Sequence, residues 1–182
     1  MRARAHLIGT IILVSGLLAV ASPVLSAEPQ PNYLALKAGI FEPEGDIAGF
    51  DTAFSGELDL GRRFHRNFAG ELGLGYLRAG SERSRFDAFP LTVSGKAILP
   101  LGDLEPYATA GGGLYFARLE GDDDATFGAF LGGGVQFKIE GMTGRSGFIG
   151  LEAKHVWLKP SFEGVDVEAR GFQVMALFGV VL

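Results

Sequence analysis

The sequence contains no cysteine. That excludes disulfides, a thiolate metal site and a catalytic thiol, and it leaves no acceptor for the lipid of a lipoprotein. Histidine is scarce as well, at three residues, one of which (His6) lies near the start. Beyond the first 27 residues no apolar run approaches the roughly 20 residues that a membrane-crossing helix needs. If the remainder of the chain enters a membrane, it does not do so as helices.

The first stretch has the pattern of an export leader. Arg2, Arg4 and His6 form a basic start, Leu7 to Val20 an apolar core, and Ala21 to Ala27 a small-residue region with one proline. That core is too short to serve as a membrane anchor. Cleavage is expected after Ala27, leaving residues 28–182 as one domain. Losing Arg2 and Arg4 lowers Lys+Arg from 16 to 14 against 21 acids, a net charge of −7. A chain this acidic lacks the basic surface that nucleic-acid phosphates demand, so no nucleic-acid partner is expected.

What the chain has in abundance is glycine, 28 residues, together with a positive mean hydropathy of +0.24. The glycines follow no three-residue period, which excludes a collagen-like chain. Glycine weakens a strand interior unless backbones approach closely or aromatics cover it. The remaining text divides into eight segments of period-two character: Tyr33–Phe41, Ala53–Arg63, Phe68–Arg78, Phe89–Leu99, Pro106–Arg118, Thr126–Ile139, Phe148–Leu158 and Gly171–Leu182. The last is the clearest, with Phe172, Val174, Ala176, Phe178, Val180 and Leu182 on one face. In the second, Phe54, Leu58 and Leu60 alternate with Ser55, Glu57 and Asp59. The fifth shows no clearly polar face, and its direction stays open.

Full charges of both signs stand in mid-strand on the polar faces. A closed barrel with lipid outside accommodates them if they pair within. Connections also alternate, with longer, mostly acidic ones at Glu42 to Thr52, Ala79 to Ala88, Leu119 to Ala125 and Lys159 to Arg170, and shorter turns between. The pattern predicts an all-β fold, a closed antiparallel up-and-down transmembrane barrel of about eight strands with both termini on the periplasmic side. Aromatics near strand ends, including Phe41, Phe68, Tyr76 and Trp157, are expected in the two interfacial girdles. Its rival is a secreted, soluble lipocalin-like barrel, which would turn Leu58, Leu72 and Val174 inward.

The phrases Leu60-Gly61-Arg62-Arg63-Phe64, Phe68-Ala69-Gly70-Glu71-Leu72-Gly73-Leu74-Gly75-Tyr76, Pro106-Tyr107-Ala108-Thr109-Ala110-Gly111-Gly112-Gly113 and Leu151-Glu152-Ala153-Lys154-His155 resemble the small bacterial outer-membrane β-barrel families, of the porin-like or OmpA/OmpX/OmpW type. The resemblance implies residence in the Gram-negative cell envelope among outer-membrane lipid and lipopolysaccharide, and delivery by the barrel-assembly machinery. Such barrels usually end in Phe or Trp, whereas this chain ends in Leu182.

In a barrel of eight strands the interior is only wide enough to be filled by side chains. Lys37, Glu57, Asp59, Glu71, Lys96, Lys138, Glu152 and Lys154 are therefore expected to form an interior charge network. Structural filling is the first reading and a narrow conduction path for small hydrophobic or ionic solutes the second. A third function class is modification of lipid A, because barrels of this size include a deacylase with a His and Ser on the outer face. His155 lies on the apolar face, but position 157 is Trp and the nearest Ser161 lies beyond Pro160, so no nucleophile stands within reach of the base. No catalytic residue is expected. The acids of Gly121 to Asp124 cannot alone supply the six to eight oxygens that calcium takes, so no metal or cofactor is expected either. Arg62 to Arg66 is placed in a turn, against anionic lipid or in solvent. The leading expectation is a non-enzymatic barrel, structural or meeting an extracellular partner through its acidic loops.

Overall fold

The computed structural model describes residues 31–45, 51–80, 85–119, 122–142, 145–159, 161–162, 165–166 and 168–182. The expected leader lies outside them. Eight long strands form the body: β1 (Asn32–Gly45), β2 (Asp51–His65), β3 (Phe68–Gly80), β4 (Arg85–Ile98), β5 (Leu104–Leu119), β6 (Asp122–Met142), β7 (Arg145–Leu158) and, after a two-stranded ribbon of β8 (Ser161–Phe162) and β9 (Val165–Asp166), β10 (Ala169–Val181). Each pairs antiparallel with its neighbour, and β10 pairs with β1, so the barrel is closed. Closure satisfies the edge hydrogen bonds that an open sheet would leave bare in lipid.

Following paired residues around the wall gives the stagger. Glu44 faces Arg170, and the path continues through Trp157, Ala129, Gly112, Val93, Leu72 and Leu60 to Leu34. It returns to β1 ten residues from its start, at 34 instead of 44. With eight strands this stagger requires a strand tilt of roughly 40°.

Alternation then sorts the described side chains into an inner and an outer set. Leu58, Leu72 and Val174 point outward, and so do Leu36, Leu74, Leu131 and Leu151. The outer surface is thus an apolar band, which excludes the soluble lipocalin-like alternative. Charged residues bound the band on one side, at Glu42, Arg78, Arg118 and Arg170. The fifth segment is settled too: Glu105, Tyr107, Thr109 and Tyr115 turn inward, while Ala108, Ala110 and Phe116 turn outward. Beyond Glu105 its inner face carries rings, Thr109 and glycines, and it adds no charge to the middle of the barrel.

Inward glycines make room for inward rings. A Cβ on Gly61 would run into the Tyr33 ring, one on Gly134 into Tyr107, and one on Gly179 into Phe148. At Gly39 the constraint is the backbone itself, because a Cβ would collide with the Val174 carbonyl, whereas at Gly95, on the outer face, it would meet nothing within 4 Å. Gly39→Ala is accordingly expected to lower the denaturation midpoint in lipid vesicles by several times the effect of Gly95→Ala. Equal effects would contradict the close approach of β1 to β10.

The connections differ from expectation. The strands run on past the apolar band, leaving only residues 46–50, 81–84 and 120–121 between strands at the end opposite the termini. Asp122 to Asp124, expected at a loop tip, open β6 and pair with Ala117 to Leu119. Turns at the terminal end are similarly short, at residues 66–67, 99–103 and 143–144. A marked difference in connection length survives only between β7 and β10. Polar strand beyond the membrane looks like loop in a sequence, because nothing there needs to alternate between apolar and polar.

Candidate functional site: the barrel interior

The interior is layered. Nearest the terminal end, Arg63 grips Glu105 through two hydrogen bonds of 2.9 and 2.7 Å, and Lys138 reaches the same carboxylate at 2.8 Å. Gln136 donates to it at 2.8 Å. Above this cluster lies an apolar layer of Tyr33, Ala35, Ala69, Ile98, Tyr107, Phe148 and Leu177.

The next layer holds the charges. Lys37 Nζ stands 2.8 Å from Asp59, 3.1 Å from Glu152 and 3.5 Å from Glu71. Lys96 Nζ is 2.7 Å from Glu71 and 3.8 Å from Glu152. Lys154 Nζ is 2.5 Å from Glu57 and 3.9 Å from Glu152. Two phenols complete the set, Tyr33 donating to Glu71 at 2.8 Å and Tyr107 to Glu152 at 2.9 Å. The ammonium groups of Lys96 and Lys154 also lie over the rings of Tyr107 and Phe130, at 4.4 and 4.5 Å. All seven charged side chains are buried. Beyond them a second apolar layer closes the far side, built around Phe41, Leu77, Phe86, Tyr115, Phe130, Val156 and Leu158.

Strand parity delivers this arrangement. Lys37, Glu57, Asp59 and Glu71 hold odd positions on β1, β2 and β3, while Lys96, Glu152 and Lys154 hold even ones on β4 and β7. Every one of those positions faces inward. The network is short of cations, with four acids and three lysines in the layer. Glu152 joins all three lysines.

Seven of the eight sequence-selected charges meet there. Lys138 does not: it belongs to the Glu105 cluster, and its side chain is 43 % exposed. Phe41, expected in an interfacial girdle, is buried inside instead, since the alternation that turns Lys37 inward turns Phe41 inward as well. Its ring lies where a Cβ on Gly171 would be. Phe68 and Trp157 face outward, as does Tyr76, whose ring packs 5.0 Å from that of Phe89 and whose hydroxyl donates to Asp87 at 2.9 Å. Sequence reasoning missed Arg63, Glu105 and the two phenols. Extending the Tyr107 parity two residues back finds Glu105.

On the outer face, His155 Nε2 lies 3.0 Å from Glu44, and its ring packs 4.4 Å from that of Trp157. The residues paired beside His155 on the neighbouring strands are Leu131 and Phe172. Among the described residues no group of histidines and acids is arranged to hold a metal ion.

A family model described as outer membrane protein beta-barrel domain matches residues 11–178. Among solved structures, Neisserial surface protein A aligns at a TM-score of 0.62 with 17 % identity, covering 83 % of this chain and 97 % of that one. The attachment invasion locus protein of Yersinia pestis aligns at 0.50 with 13 % identity, covering 84 % and 99 %. At such identities the likeness is one of fold. No match is found among curated proteins.

Proposed function

This chain belongs to the outer membrane protein beta-barrel domain family and resides in the outer membrane; on that premise we propose that it is a non-enzymatic barrel with a closed interior, acting through its far end on the cell exterior. The observation that carries this reading is the burial of the charged layer between two apolar layers. An ion crossing the interior axially would have to shed its water against rings and methyl groups, which is strongly unfavourable. The three lysines are each held by two or more acids, which ties the layer together across the axis.

The far end is where β1 and β6 extend as acidic strand, with Glu42, Glu44 and Asp122 to Asp124. That end is the surface for an extracellular partner, and the outer-facing band meets lipid and lipopolysaccharide. The non-enzymatic reading rests on the outer His155–Glu44 pair, whose described neighbours Leu131, Phe172 and Trp157 carry no hydroxyl for a base to activate. Lipid A mass spectra from cells with and without the protein are expected to be identical. A shift of one acyl chain or one headgroup substituent would overturn the non-enzymatic reading.

A further inference from the structure

The β3–β4 seam is interrupted inside the apolar band. Pairing runs unbroken from Phe68 opposite Ala97 to Leu74 opposite Leu91, and resumes with Leu77 opposite Ala88. Gly75 and Tyr76 are left without partnership to Pro90 and Phe89. The interruption falls where Pro90 has no backbone N–H to donate. Proline in mid-sheet is costly, and in a membrane wall more so, because lipid offers no substitute hydrogen bond. Gly75 is the residue that tolerates it, since a Cβ there would press on the Pro90 ring at 2.8 Å.

A cavity of about 20 Å³ lies at the same place. Its lining includes the inward polar groups Ser55, Glu57, Thr92, Lys154 and Gln173, and also Gly56 and Tyr76, which belong to the outer face. The cavity therefore lies against the inner side of the wall at the interrupted step, where backbone of β2, β3 and β4 borders it. One water molecule needs roughly 10–15 Å³ of such space and two to four polar partners, and both requirements are met here. On the lipid side the step is covered by the Tyr76–Phe89 ring pair, just below the charged boundary marked by Arg78 and Asp87. The charged boundary two residues farther along each strand is the nearest source of water on that face.

We propose that the β3–β4 seam is a side port for water: a water site between Ser55, Thr92, Gln173 and the Glu57–Lys154 pair exchanges through the wall at Gly75 and Pro90, beneath the Tyr76–Phe89 cover. The charged layer is thereby closed along the barrel axis but hydrated from the outer-face interface. Gln173 reports on this site, because it lines the cavity and its side-chain amide donates to Ser55. Gln136, in the Glu105 cluster, is the internal control.

The test is water-to-amide proton exchange at the Gln173 side chain, measured by NMR in lipid nanodiscs. Two variants should move it in opposite directions. Pro90→Val restores a backbone donor to a strand position and is expected to slow exchange at Gln173 roughly tenfold, the effect of about one hydrogen bond on the opening equilibrium. Tyr76→Ala strips the cover and is expected to speed it. Gln136 should change in neither. The proposal is overturned if wild-type Gln173 shows no exchange with water. It is equally overturned if Pro90→Val leaves the rate unchanged, since water would then arrive through an end of the barrel. A heat-modifiability gel on each variant establishes that the barrel has closed before rates are compared.

Discussion

Lys37→Met is expected to lower the unfolding free energy of the barrel in lipid vesicles by about 3–5 kcal/mol, the usual effect of removing one partner from a buried ionic group. Lys37 is the cation within reach of Asp59, and it shares Glu71 and Glu152 with Lys96. Without it, four buried acids face two lysines. A second substitution discriminates a charge effect from a packing effect. Asp59→Asn, placed in the same chain as Lys37→Met, removes the acid that depended most on that lysine. The double variant is expected to recover much of the loss, a non-additivity that urea titration of the four proteins measures directly. Simple addition of the two single effects would show that the network does not couple these residues.

The second large effect lies on the opposite face of the same wall. Leu58 points outward between Leu36 of β1 and Leu74 of β3, well inside the apolar band. Leu58→Arg is expected to cost about 2–4 kcal/mol, as a guanidinium near the bilayer midplane does. Phe64, also exposed but at the terminal rim beyond Arg62, should accept arginine at a cost of about 0–1 kcal/mol. This depth dependence is a property of lipid. Equal costs at the two positions would mean that the outward face is not embedded as described.

Which residues face inward was legible in the sequence, because a strand's period of two assigns a face to every position once one is known. Lys37, Glu57, Asp59, Glu71, Lys96, Glu152 and Lys154 were found in that way. Depth along the barrel was not legible. The strands are staggered by ten residues around the wall, so the partner of a given charge depends on a sum of eight registers that local pattern does not reveal. Lys138 illustrates this, being inward by parity yet sited at the terminal rim with Glu105 and Arg63. Lys37 on β1 meeting Glu152 on β7 illustrates it too, since no local spacing brings them together. Phe41 shows a different limit: nearness to a strand end points to an interfacial position, whereas its parity with Lys37 points inward. The interrupted seam was not legible, because Pro90 stands second in the expected segment Phe89–Leu99 and becomes mid-strand only with β4 beginning at Arg85. The meaning of that proline also depended on finding Gly75 opposite.

Closure of the interior is the claim on which the functional reading depends. Purified protein reconstituted into a planar lipid bilayer under an applied voltage tests it most directly. A barrel sealed by its two apolar layers predicts no steady channel events above those of the lipid alone. Discrete, long-lived conductance steps that scale with the amount of protein inserted would contradict it and return the molecule to the class of narrow pores.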